Sequence, residues 1–189
     1  MNKKQIYYLL FRYVFLIVIA LPNLFLFYYF FTPLTIYPVA FILNLFYRAA
    51  LLDNNVIFFQ GGYVSIIPAC IAGAAYYLLL ILNLTTPIEK EKRIKSLIFL
   101  FFSFLVLNIL RIVIFASLIL KGYQYFDLAH KTFWYFGSTI LLILIWFTNI
   151  KIFKIKAIPV FTDVKNLQSK TGGMKMPRSV WFLSTARIP

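Results

Sequence analysis

Four long apolar runs, separated by short polar stretches, organise the chain. They cover residues 6–31, 63–84, 97–120 and 131–150. A helix needs about 20 mostly apolar residues to cross the hydrocarbon core of a bilayer, and each run meets that length. The pattern therefore predicts an all-α fold, a polytopic membrane helix bundle with four full spans.

A shorter apolar stretch at 33–47 has two interpretations. It contains the two prolines Pro33 and Pro38 near its start. A stretch of about 15 residues suits a re-entrant or interfacial helix, or a tilted fifth span. Residues 48–62 contain the turn signals "DNN" and "GG", so a polar-tipped loop is expected there. Pro22 is expected to kink the first run.

Composition agrees with a membrane location. Hydrophobic residues make up 62% of the chain, whereas soluble domains have about 45–50%. The net charge is +14, but the basic residues lie mostly between and after the apolar runs, where topology signals belong. No basic face for a nucleic-acid partner precedes residue 150. We expect a transmembrane domain at 1–156 and a basic, flexible cytoplasmic tail at 157–189 that can contact anionic membrane lipid.

The distribution of lysine and arginine predicts the orientation in the cell membrane, because basic residues favour the cytoplasmic side. One side of the predicted bundle holds Lys3, Lys4, Lys90, Lys92, Arg93, Lys95, Lys151, Lys154 and Lys156. The opposite loops hold only Arg48, Lys121 and Lys131. Both termini are then cytoplasmic, provided that the chain crosses the membrane four times.

Arg111 is the one charged residue of the run 97–120. An arginine at a helix centre costs about 2.5–3.5 kcal/mol on insertion scales, so an intramembrane arginine indicates a functional site by default. Asn108 lies three residues earlier, on the same helix face. It is expected either to hold the guanidinium in place or to bridge two helices.

The single cysteine and the single histidine of the chain, Cys70 and His130, are predicted to lie in the same outer leaflet as Arg111. Cys70 lies near the start of a run that enters from outside, and His130 lies at the outer entry of the last run. Asp127 either orients the imidazole or is an ordinary loop charge. A metal site of several Cys and His ligands is excluded by these counts, and nothing indicates a cofactor.

Cysteine, histidine and arginine together suffice for acyl transfer. Cys70 would be the nucleophile, His130 would transfer the proton, and Arg111 would stabilise the thiolate and the oxyanion. Plainer roles stay open, since a lone cysteine in a membrane helix often only packs and a lone histidine is often an interfacial polar group.

Three segments in this order, "PACIAG", "NILRI" and "AHKTFWYFG", resemble the exosortase/archaeosortase family of membrane transpeptidases. The resemblance spans residues 55–150. That family has a Cys at the outer start of one helix, an Arg in the next and a His at the start of the following one. Its members usually have glycine two residues after the cysteine, whereas this chain has Gly73 three residues after. The resemblance implies that Cys70, Arg111 and His130 are catalytic.

The resemblance also implies a cysteine-dependent protein-sorting enzyme. Such enzymes act on exported protein substrates with a C-terminal signal made of a short motif, a membrane helix and a basic end. Cleavage outside the membrane would leave an acyl-enzyme at Cys70, and an acceptor, with a lipid as one candidate, would release it. Two other interpretations stay open: a small transporter or channel subunit, and a non-enzymatic membrane scaffold.

Overall fold

The computed structural model describes residues 3–53, 55–59, 62–120 and 124–155. Its elements follow the order α1 (Lys3–Ala20), α2 (Phe25–Tyr47), β1 (Ala50–Asp53), β2 (Val56–Phe59), β3 (Gly62–Ser65), α3 (Pro68–Ile71), α4 (Gly73–Thr85), α5 (Lys90–Leu120), α6 (Phe126–Thr132) and α7 (Ser138–Phe153). A five-residue π-helical segment, Phe133–Gly137, joins α6 to α7. The predicted all-α helix bundle is confirmed, with one small sheet added.

Four stretches of the described helices are long and apolar enough to cross a membrane. They are Phe25–Tyr47, Pro68–Thr85, Lys90–Ile119 and Leu128–Phe153. The last three correspond to three of the predicted runs. The predicted tail at 157–189 lies outside the described residues.

The boundaries predicted for the first span, residues 6–31, are wrong. α1 ends at Ala20, and α2 begins only at Phe25. Between them, Asn23 and Leu24 have positive φ angles of 48° and 59°, so the backbone turns away from the helix path. The expected kink near Pro22 is therefore a complete break between two helices.

The stretch 33–47 is the second part of α2 and not a separate short helix. Pro33 and Pro38 lie inside this 23-residue helix. Each proline removes one helical N–H, and membrane helices tolerate this loss where neighbouring groups satisfy the freed carbonyls. Because the apolar part of α1, Leu10–Ala20, is shorter than a span, the count of candidate spans remains four.

Residues 48–62, predicted as a loop, contribute instead to a three-stranded antiparallel sheet in the order β1-β2-β3. The strand β2 reads "VIFF", and β-branched and aromatic residues favour strands. Ile57 of β2 is fully buried and packs with Val39 and Leu43 of α2. The sheet is thereby anchored at the C-terminal end of α2.

The helix α5 lies at the centre of the bundle and packs against α2, α4 and α7. Tyr76 of α4 is fully buried beside it. The Tyr76 ring stacks on Phe31 with centroids 3.6 Å apart and meets Phe104 edge-on at 4.8 Å. These aromatic contacts fix the spacing of α2, α4 and α5 in the middle of the bundle.

A buried polar network ties α4, α5 and α7 together at one end. Asn83 Nδ2 donates to Ser96 Oγ at 2.8 Å, and Ser96 Oγ donates to Asn149 Oδ1 at 2.9 Å. Arg93 donates to the carbonyl of Leu84 in the last turn of α4 and to that of Thr86 in the α4–α5 connection. Lys151, in the last turn of α7, also lies at this end.

Candidate active site

Three helices bring Cys70, Arg111 and His130 to one cavity. Cys70 lies in α3, Arg111 in the C-terminal third of α5 and His130 in α6. The cavity has a volume of about 100 Å³ and is lined by Ile67, Ala69, Cys70, Arg111, Phe115, His130 and Phe133. The residues that the sequence singled out as a candidate triad are therefore neighbours in the fold.

A break in the backbone sets the position of Cys70. The four-residue helix α3 begins at Pro68, and Ala72 ends it with a φ of 59° in the left-handed region. That conformation costs a residue with a Cβ about 1–2 kcal/mol and favours glycine. Ala72 lies two residues after the cysteine. Members of the exosortase/archaeosortase family, which the sequence resembles, usually have glycine at this position. The break separates the turn that carries Cys70 from the long helix α4.

The guanidinium of Arg111 is held from two sides. Nη1 donates to Ser138 Oγ at 2.7 Å, and Nη2 donates to the backbone carbonyl of Cys70 at 3.2 Å. Arg111 therefore connects α5 to both α3 and α7. A guanidinium has five N–H groups, so these two bonds leave further donors, and Arg111 lines the cavity.

Asn108 supports the segment that carries the cysteine. Among the described residues, its side chain forms no hydrogen bond with the guanidinium of Arg111. Its Nδ2 donates to the carbonyl of Cys70 at 2.9 Å, the same oxygen that Arg111 binds. Asn108 is 2% exposed. Of its two predicted roles, it performs the second, bridging two helices. That bridge fixes the backbone of the candidate nucleophile.

Aromatic rings set the position of His130. Its ring stacks on Phe126 with centroids 5.5 Å apart and meets Phe115 edge-on at 5.3 Å. Asp127, the predicted orienting residue, lies in the same helix, and its side chain lies outside the described part of the structure. These two rings flank the imidazole beside the cavity.

The π-helical segment explains how His130 and Ser138 both reach the Arg111 side of α5. Ser138 N donates to the carbonyl of Phe133, five residues back. In a regular α-helix, two residues eight positions apart lie roughly 80° apart around the axis. A π turn absorbs one extra residue, which reduces the separation of His130 and Ser138 to roughly 20°. Such segments are frequent at functional sites.

One residue that interacts with Arg111 was not predicted from the sequence. Ser138 Oγ accepts a hydrogen bond from Arg111 Nη1. Gly137 and Ser138, two small residues inside an apolar run, are the only signal for the serine in the sequence.

The cavity lies at the opposite end of the bundle from Arg93 and Lys151. Ser96 and Asn149 join α5 to α7 at one end, and Arg111 and Ser138 join the same helices at the other. At about 1.5 Å per residue, the two contacts on α5 are roughly 22 Å apart. The two helices are thus antiparallel, and the cavity is distant from Lys151.

Comparisons with protein-family models, with curated proteins and with solved structures find no match. In the part of the chain that the structure describes, no group of three or more His, Cys, Asp or Glu side chains is placed to hold a metal ion. The chemistry that these residues offer is that of a thiol, an imidazole and a guanidinium.

The walls of the cavity strengthen the effect of the arginine charge. Ile67, Ala69, Phe115 and Phe133 contribute apolar surface around the three polar side chains. A fixed charge acts more strongly on a developing oxyanion in such low-dielectric surroundings. The arrangement can therefore stabilise negative charge on or next to the Cys70 sulfur.

We predict that Asn108→Leu loosens the segment that carries Cys70. The substitution removes a buried interhelical hydrogen bond, and such bonds contribute about 0.6 and at most about 1.7 kcal/mol in membrane proteins. Amide hydrogen exchange in residues 69–72 should accelerate about three- to fifteenfold. Asn44→Leu, an exposed position on α2, is the matched control and should leave that exchange unchanged. Equal exchange in both variants would remove Asn108 from its supporting role.

Proposed function

We propose that the chain is a membrane-embedded cysteine protease or transpeptidase. It cleaves the C-terminal sorting signals of exported proteins through an acyl-enzyme at Cys70 and transfers them to an acceptor, for which a membrane lipid is the candidate. The observation that carries this proposal is the single cavity lined by Cys70, Arg111 and His130. A transporter or a scaffold does not require that a thiol and an imidazole share one pocket.

The proposed reaction begins when the Cys70 thiol gives its proton to His130 and the thiolate adds to the carbonyl carbon of the scissile peptide bond. The oxyanion is stabilised by the free N–H groups of Arg111. The C–N bond breaks, His130 protonates the leaving amine, and a thioester remains on Cys70. An acceptor hydroxyl or amine then attacks the thioester, loses its proton to His130 and releases the thiolate.

The backbone at Ala72 supports the resemblance to the exosortase/archaeosortase family. The family's usual glycine two residues after the cysteine would suit the left-handed conformation that Ala72 adopts here. The order of Cys70, Arg111 and His130 in three successive helical regions agrees with the family as well. This chain thus lacks the family's usual glycine at position 72, while its backbone there has a conformation that glycine favours.

The location proposed for the cavity is the outer side of the cell membrane. Basic residues concentrate at the other end of α5 and α7, and such residues remain on the cytoplasmic side. Four spans, an even number, return the chain to the side from which it started. Both termini are then cytoplasmic in a multi-pass protein.

We predict that Cys70→Ala abolishes processing of a reporter. The reporter is an exported protein fused to a C-terminal region from the same genome that comprises a short motif, an apolar helix and a basic end. Loss of the nucleophile should lower cleavage by at least about 10³-fold, measured as the change in reporter mass. Ser103→Ala, at a half-buried position of α5, is the control and should cleave normally.

Cleavage by Cys70→Ala at the rate of the unchanged chain would rule out the proposed nucleophile. The transporter and scaffold interpretations would then gain support. Insertion of both variants is checked by their yield in the membrane fraction, so that loss of cleavage is separated from loss of protein.

We also predict that a small, charged, membrane-impermeant methanethiosulfonate labels Cys70 in intact cells. Cys70 is half-buried and lines the cavity, and it is the single cysteine of the chain, so any labelling identifies its side. The control is Cys70→Ala combined with Glu89→Cys, an exposed position in the α4–α5 connection. This control should react only after permeabilisation. The reverse pattern would invert the orientation.

A further inference from the structure

The strand β3 lies at an edge of the sheet, and its hydrogen-bond pattern shows which backbone groups face outward. Ile66 N donates to Asn55 O at 2.8 Å, and these residues continue the register in which Val64 pairs with Ile57. Hydrogen-bonded pairs alternate along an antiparallel ladder. Gly62 and Val64 therefore bond to β2.

The N–H and C=O groups of Tyr63 and Ser65 consequently point away from the sheet. No described residue pairs with them across this edge. Natural sheets protect free edges with charged residues, proline or bulges, and "GYVS" has neither a charge nor a proline. The edge offers two N–H donors and two carbonyl acceptors in the spacing of a β-strand.

This edge leads directly to the cavity. Ile67 continues the extended backbone, with φ −83° and ψ 162°. Successive side chains alternate across a strand, so Tyr63, Ser65 and Ile67 share one face, and Ile67 lines the cavity beside Cys70. A strand paired with β3 at about 4.8 Å would therefore lie next to the segment that continues to Ile67 and the cavity.

We propose that β3 binds an extended segment of the polypeptide substrate as a fourth strand of the sheet, and that this pairing presents the scissile bond to Cys70. The proposal rests on the proposed function. A peptide backbone is the partner that matches alternating donors and acceptors in strand spacing, whereas an acyl chain has none. The opposite edge, β1, has an irregular register between Leu51 and Asp53 and does not lead to the cavity.

Proline substitution tests this pairing at single N–H groups. Ser65→Pro removes an N–H that faces outward and is compatible with the ladder to β2, because proline is tolerated on the free side of edge strands. Reporter cleavage should fall at least about fivefold, the effect of one net hydrogen bond. By the same alternation Leu51 faces outward on β1, so Leu51→Pro is the matched control at the other edge. It should cleave as the unchanged chain does.

Cleavage by Ser65→Pro at the unchanged rate would overturn the proposed pairing and leave the proposed function intact. A second measurement tests the pairing without the proline variant and without cleavage. It therefore remains informative if Ser65→Pro does not fold or if the reporter is not cleaved. Purified Cys70→Ala protein is mixed with a synthetic peptide of the ten residues that precede the reporter's apolar helix. Amide exchange at Tyr63 and Ser65 should slow at least about fivefold. Unchanged exchange there would overturn the pairing independently of catalysis.

Discussion

The rest of the structure depends on one constraint, the positive charge of Arg111 inside an apolar helix bundle. Its insertion costs about 2.5–3.5 kcal/mol, and hydrogen bonds to a charged group each return about 1.5–3 kcal/mol. Two such bonds, to Ser138 and to the carbonyl of Cys70, offset the cost only if α3, α5 and α7 keep their relative positions. The charge of Arg111 therefore requires the site geometry, and its two hydrogen bonds maintain that geometry.

Two local irregularities of the backbone make that geometry possible. The left-handed residue Ala72 separates the turn of Cys70 from α4, and the π turn rotates Ser138 onto the same side as His130. Each costs stability in a regular helix. At the opposite end, Asn83, Ser96 and Asn149 join α4, α5 and α7 from within regular α-helix.

The sequence predicted most of the bundle because a bilayer demands long apolar helices, and topology alone brought the candidate triad to one side. The break near Pro22 was underestimated, since both flanking helices are apolar and hydropathy does not register a turn between them. The sheet was not predicted from the sequence because its strands are short. The strand "VIFF", for example, lies between the turn signals "DNN" and "GG". Ser138 could not be assigned, because contacts between helices depend on rotations that spacing along one chain does not fix.

We propose that Cys70 forms a covalent acyl intermediate under the influence of Arg111. The most direct test is mass spectrometry of the peptide that contains Cys70, taken from protein purified after co-expression with the reporter. We expect an added mass equal to the cleaved reporter segment, removed by hydroxylamine as a thioester would be and absent from Arg111→Gln. An unmodified Cys70 peptide despite cleavage of the reporter, or an adduct that forms equally in Arg111→Gln, would contradict the account.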